Sequence, residues 1–365
     1  MGTMSARGDF VRQYAIDDLR AFSIACLTAM DVAESDAEHV TNCLLFAERT
    51  GHPSHGIVRL PVYAKRVRAG VVKARATPRV EMQFGGLVVM DGDNGLGPVV
   101  GTRAMEEALA IAQSSGAALV AVRQSNHFGS AAFYTRRAME AGLIGVAGSN
   151  APPNMAPFGG KDRFLGTNPL SIAVPAGNQP PIVFDMASSV VARGNIILAA
   201  QANKPIPEGW ALGPDGNPTT DAARALEGPV LPFGGAKGSA ISLLIDVFSG
   251  VLSGAAYGRH LSTLENLNTH QNLGHFFAVL DPRRFADADE FRTRMDDLIS
   301  QLKSTPTAPG FEEILVPGEI EARAIARSEV EGIPVSADVE NQLKELAKTV
   351  GVEARLFDAP RGEDS

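Results

Sequence analysis

Four side chains that could act together on an organic acid fall within one short stretch, RTGHPSHGIVRLPVYAKRV (49–67). His55 follows Ser54 in a turn rich in glycine and proline, and Arg59 and Tyr63 come four residues apart on the helix expected after this turn. An arginine binds a carboxylate through two parallel hydrogen bonds, and a histidine can move a proton at the neighbouring oxygen. This set of side chains is therefore suited to an acid that carries a carbonyl or hydroxyl group beside its carboxylate.

The same residues allow other interpretations. In the plainest one, His52 and His55 satisfy the backbone of the turn and Arg59 lies in solvent. In another, the protein is a metal-dependent hydrolase or lyase in which His52, His55 and His127 bind a divalent ion. No Asp or Glu accompanies these histidines at a recognisable metal-ligand spacing, so we expect no metal site. A binding protein without turnover is the last alternative, and the presence of Ser54 and Arg59 beside the histidines argues against it.

His127 lies in a second candidate segment, VAVRQSNHFGSAAF (120–133). It follows an apolar strand and precedes a helix that begins after a glycine. Because the sheets of α/β proteins bind ligands at the carboxyl ends of their strands, this position favours a functional loop. A histidine that only caps the loop is the alternative.

Two more segments could contact a ligand, the first through backbone N–H groups and small side chains and the second through a lysine. The segment GSNAPPNMAPFGGKDRFLGTNPLSIAVP (148–175) is rich in Gly, Asn and Pro, and its Thr167 and Asn168 stand directly before a strand. Lys237 stands at the start of an apolar helix, where a cation opposes the helix dipole and a bound phosphate would relieve the conflict. An ordinary surface loop and a solvated lysine are the alternatives. Neither a G-x-G-x-x-G fingerprint nor a phosphate loop occurs, so a nucleotide would bind through another architecture.

The composition is that of a globular protein. Of 365 residues, 45% are hydrophobic and 20% charged, which is enough for a core in about two domains. The net charge of −8 argues against nucleic acid or an anionic membrane surface as a partner. The longest apolar run, AISLLIDVF, is too short to span a bilayer, and the N-terminal stretch MGTMSARGDF lacks the apolar core of a signal peptide. Cys26 and Cys43 lie in apolar helical patterns, where we expect buried, reduced thiols in a cytoplasmic protein.

Hydrophobic periodicity predicts the elements that position these residues. Residues 16–50 have the pattern of two helices, and a third is expected from about Gly56, with Pro61 in its first turn. From about residue 85, strands alternate with helices, which indicates an α/β domain with a largely buried sheet. The expected strands are GLVVMDGD, AALVAVRQS, LIGVAGS, PLSIAVPA, PIVFDMA and GHFFAVLDP. The expected helices here are GPVVGTRAMEEALAIAQSSG, SAAFYTRRAMEAG, SVVARGNIILAAQANK and an apolar helix from about Gly238. From about residue 285 the chain is mostly helical, and the last residues, PRGEDS, are expected to fray.

Nine motifs in the same order resemble the malate/L-lactate dehydrogenase family of NAD(P)-dependent oxidoreductases that lack a Rossmann fold. The motifs are GHPSHGIVRLPVY, DGDNGLGP, SNHFG, MAPFGG, GTNPLSIAVP, FDMASSVVARG, FGGAKG, NLGHFF and VPGEIEAR. The resemblance covers about residues 15 to 350. Members of this family include ureidoglycolate, sulfolactate and malate dehydrogenases, diketogulonate reductase and reductases of cyclic imino acids.

For the fold, the resemblance implies an α/β cofactor domain plus a helical domain built from both chain ends, in a homodimer. The implied divisions are a helical substrate and dimer segment at 14–80, an NAD(P)-binding domain at 81–284, a C-terminal helical segment at 285–350 that packs with the N-terminal one, and a tail at 351–365. The implied reaction is reversible hydride transfer between NAD or NADP and a small 2-hydroxy or 2-oxo acid. Reduction of a cyclic imino acid, with a C=N bond beside the carboxylate, is the alternative within the family.

The resemblance also implies roles for individual residues. His55 would be the proton donor with Ser54 in a relay, Arg59 would hold the carboxylate, and Tyr63 would line the pocket. In some members the histidine that matches His127 is assigned as the acid or base instead. Positions that border the nicotinamide are His127, Phe128 and Gly129. Further positions that touch substrate are Thr167, Arg193 and Gly194. Positions around the dinucleotide are Asn150, Asp185, Met186, Ala187, Lys237, Pro317, Gly318 and Glu319.

The sequence departs from the family pattern at a few of its motifs. Asn195 stands where many relatives carry Lys or Asp, Ala151 stands where Ser is frequent, and KGSAIS replaces the usual KGYGLA. These departures keep the hydride chemistry but leave open which acid is the substrate. The preference between NAD and NADP is equally open.

Overall fold

A computed structural model describes residues 11–357, which form a helical part and a mixed sheet covered by helices. The helices of this part of the chain are α1 (Ile16–Thr28), α2 (Glu34–Arg49), α3 (Leu60–Arg68), α4 (Gly97–Ser115), α5 (Ala132–Glu140), α6 (Arg193–Gln201), α7 (Ala222–Glu227), α8 (Ala236–Asp246), α9 (Ala288–Lys303), α10 (Glu319–Glu331) and α11 (Ala337–Val350). The strands are β1 (Val11–Tyr14), β2 (Arg79–Phe84), β3 (Leu87–Asp91), β4 (Ala117–Ser125), β5 (Ile144–Ser149), β6 (Leu170–Val174), β7 (Ile182–Met186), β8 (Leu273–Leu280) and β9 (Ile333–Ser336).

Seven strands form the main sheet, in the order β2-β3-β4-β8-β5-β6-β7. Strands β3 and β4 are parallel, and the other neighbours are antiparallel. All six predicted strands are present. The sequence pattern missed β2, which is exposed along its whole length at the edge of the sheet, and the short pair β1-β9. The β2 sequence RVEMQF does alternate polar and apolar residues, so this strand carried a signal that the sequence interpretation overlooked. Its apolar side chains, Val80, Met82 and Phe84, are exposed rather than buried.

The sheet directions bring several loops to one edge. Strand β8 lies between β4 and β5 and is antiparallel to both, so β4 and β5 end on the same side. Strand β7 is also parallel in direction to β5, because each is antiparallel to β6. The residues that follow β4, β5 and β7 therefore lie along one edge of the sheet. This is the edge at which ligands of α/β sheets bind, at the carboxyl ends of the strands.

The helical part is built from both ends of the chain, which confirms the expected fold class. Its core joins α1, α2 and α3 to α11 and to the β1-β9 pair. At its centre the Phe357 ring stands edge-on to the rings of Tyr14 and Phe22, with centroids 5.3 and 5.0 Å away. A separate core lies between the sheet and helices α4 and α5.

Two predicted helices begin later than expected. The third helix begins at Leu60 rather than near Gly56, because two 3₁₀ turns, Pro53–His55 and Ile57–Arg59, come first. Gly56 between them has an extended backbone (φ −90°, ψ −146°), which is incompatible with a continuous helix. Helix α6 begins at Arg193 rather than Ser189, because residues 189–190 pair with residues 231–232. Pro61 lies in the first turn of α3, as predicted.

Three predictions concern the chain ends and the segment 285–350. MGTMSARGDF and PRGEDS lie outside the described residues. Within the predicted tail, Phe357 is buried in the helical core, so residues up to 357 are packed. Helix α9 lies against the turn at 177–179, whose backbone N–H groups all donate to Asp296, and it is thus attached to the sheet part rather than to the helical part.

Two further findings complete the comparison. Cys26 and Cys43 are both buried and free, as predicted. Among residues 11–357, no helix combines the length and the apolar character that a membrane crossing requires.

Candidate active site

The two 3₁₀ turns hold Ser54, His55 and Arg59 in one compact unit. The Oγ atom of Ser54 lies 3.0 Å from Nδ1 of His55, and the Nε atom of Arg59 donates to the backbone oxygen of Ser54 at 2.6 Å. The terminal guanidinium nitrogens of Arg59 make no hydrogen bond or ion pair within residues 11–357. They are the donors that a bidentate carboxylate needs.

A buried carboxyl group holds this pair of turns through a backbone hydrogen bond. Glu48, at the end of α2, accepts a hydrogen bond from the backbone N–H of Ile57 at 2.7 Å. A Cβ atom at Gly56 would collide with the Glu48 carboxyl group, so the crossing of the turn over Glu48 requires glycine there. Burial raises the pKa of Glu48 to about 7.

Helix α3 and the loop after β4 bring the second histidine to the first. The hydroxyl of Tyr63 lies 2.6 Å from Nδ1 of His127, and the rings of His127 and His55 stack with centroids 5.6 Å apart. Because each Nδ1 has a hydroxyl partner, Nε2 is the nitrogen of each ring that is left to meet a ligand. Sequence spacing predicted the group around His55 and the separate position of His127, and the fold joins them into one site.

The loop that carries His127 is fixed by its backbone and by amide side chains. Gln124 and Gly129, on either side of the histidine, have positive φ angles of 54° and 79°. A Cβ atom at Gly129 would lie 2.5 Å from the sulfur of Cys43. The backbone N–H of His127 donates to Oε1 of Gln271 at 3.1 Å.

Both histidines are held in the neutral form. Burial, followed by the charge of Arg59 and then by His52, lowers the pKa of His55 to about 4. Burial, followed by the charge of Arg59 and then by His55, lowers the pKa of His127 well below its usual range. A guanidinium that has no acidic partner among residues 11–357, beside two neutral imidazoles, forms a site for an anion that can also exchange a proton.

The ring of Phe128 is buried, so it does not contact a nicotinamide in this position. The ring is buried in the sheet core and stacks on His275, with centroids 4.5 Å apart and an angle of 7° between the planes. Its backbone oxygen accepts from the hydroxyl of Tyr134 and from the Cys43 thiol. Any contact of Phe128 with a ligand is thus left to its backbone.

Asp185 at the end of β7 adjoins this group. Its carboxylate accepts hydrogen bonds from the Ser130 hydroxyl and the Ala132 N–H, both at 2.9 Å, and burial raises its pKa. A narrow crevice that includes Asp185 is also lined by His52 and Gly318. The backbone of Pro317 accepts from Val183 on the same strand, so the loop at 317–318 lies beside the end of the sheet.

A second group of predicted residues surrounds the start of α8. The backbone N–H of Ser188, just after Met186 and Ala187, donates to Thr167 O, and the Ser188 backbone oxygen accepts from Phe233 N. No side chain caps α8, and Lys237 is exposed in its first turn. The hydroxyl of Ser188 is buried without a hydrogen-bond partner among the described residues. An uncapped helix start, a lysine and an unsatisfied hydroxyl are suited to the phosphates of a dinucleotide, so these residues fit NAD or NADP.

Other predicted residues are engaged elsewhere. The guanidinium of Arg193 donates to Asn154 Oδ1 and to Leu226 O, both at 2.6 Å, and so is bound outside the histidine pair. Gly194, next to it, has open space where a side chain would stand. The side chain of Asn150 is used by Asp246, Ala256 and Gly274, and that of Glu319 by Lys303 and Val316. Asn150 and Glu319 could therefore contact a cofactor only through their backbone atoms.

The three-histidine metal site of the hydrolase alternative is not formed. Among residues 11–357, no three His, Cys, Asp or Glu side chains are grouped so that they could hold a metal ion. Two of the relevant nitrogens, Nδ1 of His55 and of His127, are instead hydrogen-bonded to Ser54 and Tyr63.

Three supporting residues were missed by the sequence interpretation, namely Glu48, Gln271 and His275. Two of them carried a signal. Glu48 falls on the buried stripe of α2, where a charged residue is unusual, and His275 interrupts the apolar run of β8. Gln271 carried no signal, since its contact with His127 spans 144 positions in the sequence.

Comparison with known proteins gives a consistent result. A protein-family model described as malate/L-lactate dehydrogenase matches residues 14–344 of the sequence. L-sulfolactate dehydrogenase of Methanocaldococcus jannaschii is 39% identical over 329 residues, which cover 90% of this chain and 94% of that protein. An NADP(+)-dependent (2R)-3-sulfolactate dehydrogenase of Chromohalobacter salexigens is 38% identical over 277 residues (76% and 83%). The NAD(+)-dependent ureidoglycolate dehydrogenase of Escherichia coli O157:H7 is 35% identical over 306 residues (83% and 86%).

Solved structures extend this comparison. The sulfolactate dehydrogenase structure from Methanocaldococcus jannaschii superimposes with a TM-score of 0.90 at 37% identity, covering 95% of this chain and 99% of that one. The Δ1-piperideine-2-carboxylate reductase of Pseudomonas syringae superimposes with a TM-score of 0.82 at 29% identity, covering 92% and 100%.

Proposed function

This chain belongs to the malate/L-lactate dehydrogenase family, and we propose that it catalyses reversible hydride transfer between NAD or NADP and a small 2-hydroxy or 2-oxo acid. Relatives with NAD(+) and with NADP(+) in their names support either cofactor. The substrates in the names of the family and of its relatives suggest an acid that resembles malate, lactate, sulfolactate or ureidoglycolate.

The observation that carries this proposal is the arrangement of one free guanidinium beside two neutral imidazoles. Arg59 would bind the substrate carboxylate with its two terminal nitrogens, and Tyr63 would line the same pocket. His55, with Ser54 at its Nδ1, would exchange a proton with the substrate oxygen through Nε2. His127 is the second candidate for this proton transfer, since its Nε2 is equally free.

Substrate binding would itself raise the pKa of the two histidines. The charge of Arg59 is one of the causes that lower the pKa of both rings. A carboxylate bound to Arg59 would neutralise that charge, so the pKa of His55 and His127 would rise when the acid enters. The proton would therefore be taken up where the oxo group needs it.

The cofactor would lie along the edge where β4, β5 and β7 end. When bound, the nicotinamide supplies or accepts the hydride. His127 and the backbone of Phe128 and Gly129 would border the nicotinamide, and Thr167 and Gly194 would border the substrate. Arg193 would join them at the substrate by releasing its hydrogen bonds to Asn154 and Leu226. Residues proposed to contact the rest of the dinucleotide are Asn150, Asp185, Met186, Ala187, Lys237, Pro317, Gly318 and Glu319.

A substrate panel tests the proposal. Oxidation of NADH and of NADPH would be followed with oxaloacetate, pyruvate, sulfopyruvate and oxalurate. The methyl ester of the best acid serves as a matched control, since it lacks the carboxylate for Arg59. We expect turnover with at least one acid and a loss of most of the kcat/KM with its ester. No turnover with any acid, or equal rates with acid and ester, would contradict the proposal.

A second candidate is supported by the reductase of Pseudomonas syringae. A cyclic imino acid also presents a carboxylate, and a C=N carbon can accept the hydride in place of a C=O carbon. Adding Δ1-piperideine-2-carboxylate to the panel separates the two, because the better substrate is the one with the higher kcat/KM.

We also propose that the chain is a homodimer. Helix α8 and the π-helical turn after it, Val247–Val251, expose an apolar stripe. The α8 stripe consists of Ile241, Leu244, Val247, Phe248, Val251 and Leu252. Exposed apolar residues at this helical spacing are typical of an interface, and a second copy would cover them.

A further inference from the structure

His275 joins three neighbouring strands at the edge where the candidate site lies. It stands on β8, and its ring is completely buried. Its Nδ1 lies 2.8 Å from Oγ of Ser149 at the end of β5, and its Nε2 lies 2.8 Å from Oγ of Ser125 at the end of β4. Both ring nitrogens are thus satisfied by hydroxyl groups.

The carbonyl contacts of the two serines favour a proton on Nδ1 of His275. The Ser149 hydroxyl has two carbonyl acceptors, Asn150 O at 2.8 Å and Gly274 O at 3.2 Å, whereas the Ser125 hydroxyl has only Asn126 O at 3.5 Å. With its single hydrogen on one of these nearer carbonyls, the Ser149 oxygen accepts from Nδ1–H of His275. Nε2 then has only its lone pair and accepts from the Ser125 hydroxyl. Burial lowers the pKa of His275 to about 3, so this neutral tautomer persists at neutral pH.

The same ring also supports the loop that carries His127. The serine bonded to Nε2, Ser125, is two residues before His127, and Phe128, directly after it, stacks flat on the His275 ring at 4.5 Å. Gln271, four residues before His275, accepts the N–H of His127. One side chain therefore fixes the loop on both sides of His127.

We propose that His275 is a positioning residue that sets the location of His127 relative to the nicotinamide. This inference rests on the proposed hydride transfer. His275 itself is buried and would touch neither substrate nor cofactor. It acts through Ser125 and Phe128, and a displacement of His127 would lengthen the distances over which hydride and proton move.

His275→Phe tests this directly, because it keeps a ring against Phe128 and removes both hydrogen bonds. Ser125→Ala is a milder variant that removes only the bond to Nε2. The control is Thr135→Val, which breaks an equally buried hydroxyl pair between α5 and β6, where Thr135 Oγ1 lies 2.8 Å from Ser171 Oγ. The kcat would be expressed per NADH-binding site, so that misfolded protein does not count.

We expect His275→Phe to lower kcat per NADH-binding site about 10- to 100-fold, and Ser125→Ala to lower it less. The KM for the cofactor should stay within about twofold, and 4-deuterated NADH should show an isotope effect at least as large as in the unmodified protein. Thr135→Val should change none of these. A purely structural role would reduce folded protein and leave the kcat per site unchanged, and that result in both variants would overturn the inference.

Hydrogen exchange separates this inference from the proposed function. Both variants should speed amide exchange in the peptide 120–133, and Thr135→Val should leave the first part of that peptide, through His127, unchanged. Unchanged exchange there in both variants would also overturn the inference. If the unmodified protein turns over no acid or imine, the proposed function fails, while the exchange result still decides whether His275 holds the loop.

Discussion

At the scale of single residues, the site depends on Arg59, a cation with no acidic partner in the described part of the chain. The Nε atom of Arg59 donates a hydrogen bond to the backbone oxygen of Ser54, and its two terminal nitrogens have no protein acceptor within residues 11–357. This orients the guanidinium while leaving its carboxylate-binding edge open. A lysine could not reproduce that arrangement, since it lacks the planar fork.

Arg59→Ala should therefore weaken binding of the acid far more than binding of the cofactor. We expect kcat/KM for the preferred acid to fall by about 100-fold or more, corresponding to about 3 kcal/mol for a charge-assisted bidentate contact. Arg59→Lys should recover only part of this loss. The measurement is steady-state kinetics with both substrates varied, and an unchanged kcat/KM for the acid would remove Arg59 from the carboxylate role.

The low pKa of His55 predicts opposite pH profiles for the two directions. With a pKa of about 4, His55 is neutral above pH 5, which is the form that accepts a proton during oxidation. The kcat/KM for the hydroxy acid should thus be flat from about pH 5 to 8 and fall only below. Reduction needs the protonated ring, so kcat/KM for the oxo acid should fall about tenfold per pH unit over that range.

The variant His55→Ala shows whether His55 or His127 causes this pH dependence. If His55 carries the proton, the variant should lose nearly all turnover while NADH affinity is largely retained. If the variant keeps its turnover and its pH dependence, the proton transfer belongs to His127, and the same substitution at His127 would then abolish both.

At the scale of elements, the site is held by groups that lie far apart in the sequence. The pair of turns rests on Glu48 of α2, and the loop of His127 rests on Gln271 and His275 from around β8. Sequence spacing predicted Ser54, His55, Arg59 and Tyr63 as one group because they are local. It could not predict the supporting contacts, because only the sheet order brings β8 between β4 and β5.

Glu48 predicts a measurable dependence of stability on pH. Its pKa is raised from 4.5 to about 7 in the folded protein, so the folded state binds more protons than the unfolded state between these values. The free energy of unfolding contributed by Glu48 thus decreases as pH rises through that interval. Glu48→Gln keeps the acceptor for Ile57 and removes the charge.

We expect Glu48→Gln to be about neutral at pH 5 and to raise the free energy of unfolding by roughly 1–3 kcal/mol at pH 8. Urea denaturation at both pH values measures this difference. A variant effect that is the same at pH 5 and pH 8 would show that Glu48 does not titrate in this range.

At the scale of the whole molecule, the helical part and the sheet part meet at the candidate site. Ser54, His55, Arg59 and Tyr63 come from the helical part, while His127 and Asp185 come from the sheet edge. The periodicity of the sequence predicted helical chain ends and an α/β region between them, and the family resemblance implied that the two ends form one part. It did not predict that α9 joins the sheet part, because its contact through Asp296 is with backbone N–H groups and leaves no apolar pattern.

The α8 stripe predicts the oligomeric state. Leu244→Glu would place a charge in the proposed interface, where Leu244 is 56% exposed in the single chain. We expect the unmodified protein to have twice the chain mass of 38.4 kDa by light scattering, and the variant to shift toward the single mass. Val330→Glu is the control, since Val330 on α10 is exposed outside the stripe. A single mass for the unmodified protein would contradict the dimer.

A crystal structure of the protein with NADH and a non-reactive mimic of its preferred oxo acid tests the central claim most directly. We expect the carboxylate of the mimic on the terminal nitrogens of Arg59, its oxo-type oxygen within hydrogen-bonding distance of Nε2 of His55 or His127, and the nicotinamide against the His127 loop. An acid bound elsewhere, with Arg59 and both imidazoles unoccupied, would contradict the account.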